Sequence, residues 1–399
     1  VFSSANAPPF NPEVVRTPGY PLFLAIFVPI CGSRCLVGIA AGQAIVGTLI
    51  APAVALLGQQ LFDKRMGHLA GVLYAVAPMP AVMTGYVYAE TLFAALLVGG
   101  ALLVAEGCKE DASQQAPRRW RLCGLGGTLF GLATLTRPIG LLLLPLLASI
   151  PLIHRPPQQM WRHTVAVVLG FALIVTPWMV RNAVLYGRFS LSVIGDFNLY
   201  YYNAASLEAH RLGISLDEAR SMFETQIAAR ASGVSRWPGE PYGTFAREVI
   251  WAHPVQFAWV NGVDALNGFR PGFSFMLSLF SDQDHARDPI PIFMKGDIQS
   301  VLAAMRGQDG AVLALEIYML LYMAVLVLFG LAGVSTLIAR REWSTFVLLV
   351  LIPGLLLYLP GIASNARFRA PVEPFLALLV SVGFFKVHEL FWRRRRGAA

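Results

Sequence analysis

Long apolar stretches separated by short polar or basic ones run through most of this chain, and their lengths predict its elements. A helix needs roughly 20 apolar residues to cross a bilayer. Stretches near that length lie at about 36–60, 67–83, 85–106, 122–136, 138–153, 163–180, 311–339, 343–362 and 371–390, which predicts nine membrane spans. Two of these, 122–136 and 138–153, are short for a full crossing and are expected to tilt or to be partly re-entrant. Tyr20 to Ile30 is apolar as well, but a helix of that length reaches only about 16 Å. It is expected to be a juxtamembrane or re-entrant helix.

The connections alternate in character. Asp63-Lys64-Arg65, the run Lys109 to Arg121, the stretch His154 to His163, Arg340-Arg341 and the tail Arg393 to Arg396 are basic. The bias of Lys and Arg toward cytoplasmic loops puts all of them on one side. That parity holds only if Tyr20–Ile30 does not span. From Arg181 to about Gly310 the apolar pattern breaks into a mixture of Asp, Glu, Trp and Tyr, too long for an ordinary connection. This predicts an extramembrane region. Ser215-Leu-Asp-Glu218 reads as a capping box opening a helix toward Ala231. Phe245 to Trp251 and Val255 to Phe269, divided by Pro254, read as amphipathic helices on the membrane surface. The expected organisation is an outer loop with a juxtamembrane helix (1–35), a six-span module (36–183), an extracytoplasmic region (184–310) and a three-span module with a basic tail (311–399).

Composition removes other fold classes. With 56% hydrophobic and 14% charged residues among 399, and a mean hydropathy of +0.59, the chain is an all-α polytopic membrane protein, not a water-soluble globule. The net charge of +8 sits largely in short loops and the tail, so no nucleic-acid partner is expected. Four cysteines are too few for a disulfide framework. Cys31 and Cys35 can bridge if they face an oxidising compartment, and two small core thiols is the favoured reading. There is no Walker loop, dinucleotide fingerprint, HExxH or CxxC pair, which argues against a nucleotide-dependent enzyme. Val1 is preceded by neither an initiator methionine nor a signal peptide, and the chain is expected to be a piece of a longer one.

Chemistry concentrates at the ends of the spans. Arg16, Arg137, Arg181, Arg367 and Arg369 all stand at the outer boundary, against the positive-inside bias. Each can snorkel to the interface on its own. Alternatively several share one phosphate oxyanion, which a guanidinium fork suits. Glu90 lies in the first turn of a span, where the helix dipole alone favours a carboxylate. With Tyr86 and Tyr88 beside it, the functional reading is binding of a polar substrate or assistance to proton transfer. Glu373, just after Pro371, has the same two readings with a weaker functional case. Asp196 opens Gly195-Asp-Phe-Asn-Leu-Tyr-Tyr-Tyr202, whose tyrosines either stack on a sugar or form an interfacial belt, the second being favoured.

The order RTPGYPLFLA, YAETLF, GLATLTRPIGLLLLP, TPWMVRN with a glycine five residues on, and ARFRAPVEPFLALL resembles glycosyltransferase family 39. That family includes protein O-mannosyltransferases and lipid A aminoarabinose transferases, within the multi-spanning C superfamily of glycosyltransferases. The resemblance covers nearly the whole chain. It implies a helical membrane enzyme of the cytoplasmic membrane that takes a sugar from a polyprenyl-monophosphate carrier. The sugar passes, with inversion, to an acceptor on a lipid, glycan or protein at the outer face. It implies an assisting acid at Glu90 and donor-phosphate contacts from Arg16, Arg137 and Arg367 or Arg369, with Arg181 grouped among them. Tyr20, Tyr88 and Asn365, beside the same motifs, are candidates for substrate contact.

The family's first span and its general-base aspartate lie upstream of the proline motif. Glu13 is in the matching loop but too close to Arg16 to stand for that aspartate, so the base is expected before Val1. No cofactor is certain. A divalent metal stays open, since Glu90 alone cannot hold one. Two rivals remain. A lipid-linked saccharide flippase predicts internal repeats and mid-membrane charge, and neither is seen. A non-catalytic relative that binds the lipid carrier is kept alive by the missing aspartate.

Overall fold

A computed structural model describes residues 12–32, 35–109, 116–154, 157–230, 236–272 and 310–397. Every regular element among them is helical, as the apolar runs require, because a helix satisfies its own backbone hydrogen bonds where no water can. Five helices are long and apolar enough to cross a bilayer: Cys35–Leu61, Glu90–Cys108, Trp161–Tyr186, Leu313–Arg340 and Glu373–Trp392. The protein is a multi-pass membrane protein. The expected span at 67–83 is a pair, Lys64–Ala75 and Pro78–Thr84, bent by 51°. Pro78 disfavours helical backbone at the residue before it, and Ala77 is extended (ψ 122°), so the bend falls there.

Three further expected spans are less regular. The segment at 122–136 lies in a helix, Ala116–Thr136, that also takes in a polar, Arg-containing N-terminal turn. After Arg137, itself extended before Pro138, the chain makes a 3-10 turn over Pro138–Leu143 and then the helix Leu144–His154. The segment at 343–362 is a four-residue helix, a π turn over Val347–Leu351 and the helix Ile352–Tyr358. Tyr20–Ile30 forms two short helices, Gly19–Ala25 and Val28–Cys31. Cys31 and Cys35 are free, half-buried thiols. Residues 1–11, residues 110–115 of the basic connection at 109–121, residues 273–309 of the expected outer region, and the side chains of the basic tail lie outside the described residues.

The chain divides into two compact units that interleave along the sequence. The first comprises Val1–Gly38, Leu96–Asn267 and Gly354–Ser364. In it Ala116–Thr136 packs on Pro157–Tyr186 at a close crossing. A methyl on Gly170 would meet the Gly124 carbonyl oxygen at 2.0 Å, so only a small residue lets these backbones touch. It also holds the helices Leu216–Arg230, Glu240–Ala252 and Pro254–Ala265, and the first two pack on a core of Tyr200, Phe223 and Phe245. The capping box forms as its residues predict: Ser215 N–H donates to Glu218 Oε2 (2.8 Å), and Glu218 N–H to Ser215 Oγ (3.2 Å).

The second unit comprises Ile39–Ala95, Gly268–Pro353 and Asn365–Ala399. Its long helices Gly310–Arg340 and Glu373–Gly397 meet where Gly383 lies against the Phe329 carbonyl. A small core of Met79, Val82, Met83, Met319, Ala366 and Ala370 supports Tyr86 and Tyr88.

Candidate active site

The five boundary arginines fall into two groups, one in each unit. In the first unit, residues 12–17 are strapped to the end of the long helix Pro157–Tyr186. Glu13 is buried, and its Oε1 accepts the backbone N–H groups of Val14 (3.0 Å), Val15 (2.7 Å) and Arg16 (3.3 Å). Arg181 donates to the Glu13 carbonyl (2.8 Å) and to Asn182 Oδ1 (2.7 Å), with its guanidinium 4.3 Å above the Trp178 ring. Asn182, fully buried, donates to the Ser190 and Leu191 carbonyls. Ser192 and Tyr186 close the strap through the carbonyls of Val15 and Pro12.

Glu13 is therefore committed to backbone. Arg181 is committed to the same strap. It does not mark the turn out of its helix, which runs on to Tyr186 and ends at Gly187 in the left-handed region (φ 71°). Three residues after Arg16, Gly19 presses on the backbone of Leu135 and Thr136, where a methyl would come within 2.6 Å. This brings the RTPGYP segment to the turn that carries Arg137. Arg16 itself is exposed, and its guanidinium meets no partner among the described residues. Tyr20 is half-buried and stacks on Phe23 at 6.0 Å.

In the second unit the site is built on the segment before the last long helix. Asn365 caps the short helix Ala366–Arg369 by accepting Arg367 N–H (3.0 Å). That cap is its observed role. Arg367 donates Nε–H to Glu90 Oε1, and its guanidinium carbon stands 3.7 Å over the Tyr88 ring. Glu90 is the first residue of Glu90–Cys108 and is 1% exposed, whereas the Arg367 side chain is 31% exposed. No hydrogen bond among the described residues uses the terminal nitrogens of Arg367. One edge of the fork is fixed on a buried carboxylate, one face lies on an aromatic ring, and the far edge is available.

Two residues on, Arg369 has the opposite surroundings. It is fully buried; Nε donates to Glu373 Oε1 (2.7 Å) and Nη1 to the carbonyls of Gly268 (3.0 Å) and Arg270 (2.7 Å). The other oxygen of Glu373 accepts from Tyr322 (2.5 Å).

Gln43 is the contributor the sequence did not reveal. It is a buried polar side chain inside the apolar helix Cys35–Leu61, and its Nε2 donates to the carbonyls of Thr84 (3.0 Å) and Tyr86 (2.7 Å). These bonds hold the loop that presents Tyr88 and leads into Glu90, while Tyr86 stacks on Tyr88 with centroids 5.4 Å apart. An amide in the middle of the apolar run, far from Gln59 and Gln60 at the helix end, was the available signal.

Asp196 and two of the tyrosines that follow it have partners within the protein. Asp196 accepts from Trp237 Nε1 (2.8 Å) and Arg247 Nη1 (3.2 Å). Tyr200 lies in the core between Leu216–Arg230 and Glu240–Ala252, where burial and the neighbouring Glu224 and Tyr242 push its hydroxyl pKa up to about 12. Tyr201 lies under the Arg220 guanidinium at 3.9 Å. As for a metal, no three His, Cys, Asp or Glu side chains gather to hold one among the described residues, and Glu90 is engaged by Arg367.

The comparisons bear on what this geometry belongs to. Residues 15–180 match the family model described as dolichyl-phosphate-mannose-protein mannosyltransferase. The oligosaccharyltransferase of Archaeoglobus fulgidus, tethered to an acceptor peptide with an NVT sequon, superposes with a TM-score of 0.52 at 16% identity. The match covers 94% of this chain and 41% of that one. The fold is similar to that of this archaeal oligosaccharyltransferase. A second structure of the archaeal enzyme, AglB in complex with an inhibitory peptide and a dolichol-phosphate, gives 0.50 at 17% identity over 96% of this chain and 44% of that one. The chain thus spans about two fifths of the length of these structures. No curated protein matches the sequence.

Proposed function

We propose that this protein is a membrane glycosyltransferase that takes a sugar from a polyprenyl-monophosphate carrier and transfers it, with inversion, to a lipid, glycan or protein acceptor. The reaction is assigned to the outer face of the cytoplasmic membrane. The observation that carries this reading is the Arg367 fork, held at Nε by buried Glu90 and backed by Tyr88, with its terminal nitrogens open.

In such a transfer the bond from the anomeric carbon to the phosphate oxygen breaks, and negative charge grows on the leaving phosphate. A fixed guanidinium at a dry boundary stabilises that charge more in the transition state than in the ground state. Two parallel N–H groups fit two phosphate oxygens. Glu90 is assigned here as a positioning residue: it holds the fork in one orientation, so little reorganisation is needed as charge develops. Arg16, exposed and unpaired among the described residues, is the first unit's candidate for a phosphate oxyanion, with Arg137 at the adjoining turn. Arg369, whose bonds all go to protein, is assigned to holding the segment that carries Arg367. Arg181 holds the strap beneath Arg16.

The test is transfer of labelled sugar from a pool of polyprenyl-phosphate sugars in membranes containing the full chain, with Arg367→Ala, Arg16→Ala and Glu90→Gln. Loss of transfer in all three, with normal protein levels, is expected. Unchanged transfer in all three would overturn the assignment.

A further inference from the structure

Trp237, in the first unit, has no part in the site described above. It is 1% exposed although it lies in a turn, just before the helix Glu240–Ala252. A tryptophan is seldom buried completely, because so large a ring needs cover over its whole surface. Here Val14 of the strap packs on it together with Val193 and Tyr186, the Tyr186 ring standing edge-on at 6.3 Å. Its indole N–H donates to Asp196 Oδ2 (2.8 Å), and Asp196 Oδ1 accepts from Arg247 Nη1 (3.2 Å) on the helix that follows. Gly243 lets that helix lie directly on Asp196, where a methyl would meet Oδ1 at 2.1 Å. The ring that Val14 presses on is therefore itself held, by packing and by a hydrogen bond from its one polar atom.

Residues 12–17 of the strap have no regular structure of their own. Ordering them costs conformational entropy that their neighbours must offset. The neighbours do so residue by residue. Four successive carbonyls, Pro12 to Val15, accept from Tyr186, Arg181, the Val193 N–H and Ser192 in turn. Three successive N–H groups, Val14 to Arg16, donate to Glu13. Carbonyls of an ordinary surface loop find water without such help. Val14 and Thr17 are buried, at 7% and 4%, and between them Val15 and Arg16 are exposed. A strap held this densely fixes the backbone from which the Arg16 side chain departs.

We infer that Trp237 is a positioning residue for Arg16: it clamps Val14, and through the strap it holds the Arg16 backbone ready for the carrier's phosphate. The inference rests on the proposed role of Arg16. It adds to donor binding the helix Glu240–Ala252, which holds the clamp through Asp196 and Arg247. With the clamp in place, Arg16 meets an anion with its backbone already ordered. Without it the strap must be ordered at each binding event, and affinity falls accordingly.

The test is the affinity of undecaprenyl phosphate for the full chain in nanodiscs, in a double-mutant cycle of Trp237→Ala and Arg16→Ala. Trp237→Ala is expected to weaken binding about tenfold when Arg16 is present and not at all in the Arg16→Ala background. Trp237→Phe keeps a ring on Val14 but loses the bond to Asp196, and a loss of about threefold is expected. Amide exchange at Val14, Val15 and Arg16 should quicken in both Trp237 variants. Phe245→Leu, in the core beside the same helix, controls for a general loss of stability: it should lower Tm and leave affinity unchanged. Equal weakening by Trp237→Ala in both backgrounds, or a like weakening by Phe245→Leu, means a structural role only and overturns the inference. If Trp237→Ala does not accumulate, Trp237→Phe decides, and wild-type affinity there overturns the inference too. A loss in Arg16→Ala beside unchanged Trp237 variants removes the clamp and leaves the carrier role of Arg16 standing. Wild-type affinity in Arg16→Ala overturns that role, and the clamp with it.

Discussion

Arg369 gives three hydrogen bonds to Glu373, Gly268 and Arg270 in complete burial, while Arg367, two residues earlier on the same short helix, gives one to Glu90 and keeps a third of its side chain exposed. Both are arginines at the start of the last span, and both fit the pattern that suggested phosphate binding. The difference lies in where each fork spends its donors. The charge of Arg369 is paired inside the protein with Glu373, since desolvation of an unpaired charge costs several kcal/mol, although its Nη2 has no hydrogen-bond partner among the described residues. A guanidinium held by one edge only can offer the other to an anion. The pair teaches that the spacing of charges along a sequence locates a site, but the count of donors already used decides which charge does chemistry.

That contrast can be broken in several ways. The largest effect is expected from Arg369→Ala, which leaves Glu373 buried without its cation. A loss of about 3–5 kcal/mol is expected, read as a large fall in Tm or as failure to accumulate folded protein. Next, Arg367→Ala should cut transfer by roughly 10²–10³, the range for one lost transition-state donor group, with a smaller fall in Tm than Arg369→Ala, because it leaves buried Glu90 without its cation but removes only one hydrogen bond. Arg367→Lys, which keeps the charge but not the fork, should recover only part of that loss. If instead Arg369→Ala left Tm alone and Arg367→Ala unfolded the protein, the roles would be reversed.

A smaller effect is expected from Gln43→Leu. It strands the Thr84 and Tyr86 carbonyls, at a cost of about 1–3 kcal/mol, and loosens Tyr88 and Glu90. The expected signature is a fall in kcat larger than the change in KM, because the loop's order matters most where charge develops.

The smallest effect sits far from the site. The backbone N–H of Ser215 first, and its hydroxyl second, hold the Glu218 carboxyl below the ordinary carboxylate range. A lowered folded-state pKa means that the cap stabilises the helix above the unfolded-state pKa. That contribution is lost as pH falls through the lower folded value. Amide exchange over residues 216–220 should therefore quicken a few-fold in Ser215→Ala, or on acidification, with transfer untouched by the substitution.

Much of the fold was legible because bilayer thickness translates directly into apolar length. The long helices at 36–60, 85–106, 163–180, 311–339 and 371–390 follow from that rule. The capping box at Ser215 was legible because its two bonds are local. The bend at Ala77-Pro78 was written in the two prolines, but apolar length alone gave it no weight. The pairing of Glu90 with Arg367, 277 residues apart, is a tertiary event; sequence order supplied both names and not their contact. The fate of Arg369 depended on the carbonyls of Gly268 and Arg270, which no periodicity announces. Gln43 was hidden for the same reason: its partners are backbone carbonyls at the end of another helix and in the loop after it. The tyrosines at 200–202 could be read as an aromatic cluster, but only packing distinguishes a core from a platform.

The central claim is that the far edge of the Arg367 fork binds the carrier's phosphate. Its most direct measurement is the affinity of undecaprenyl phosphate for the full chain in nanodiscs, compared between wild type, Arg367→Ala and Arg367→Lys. The account predicts a loss of roughly 10- to 150-fold in Arg367→Ala, the equivalent of one charged hydrogen-bonded contact, with partial retention in Arg367→Lys. Equal affinity in all three would contradict it.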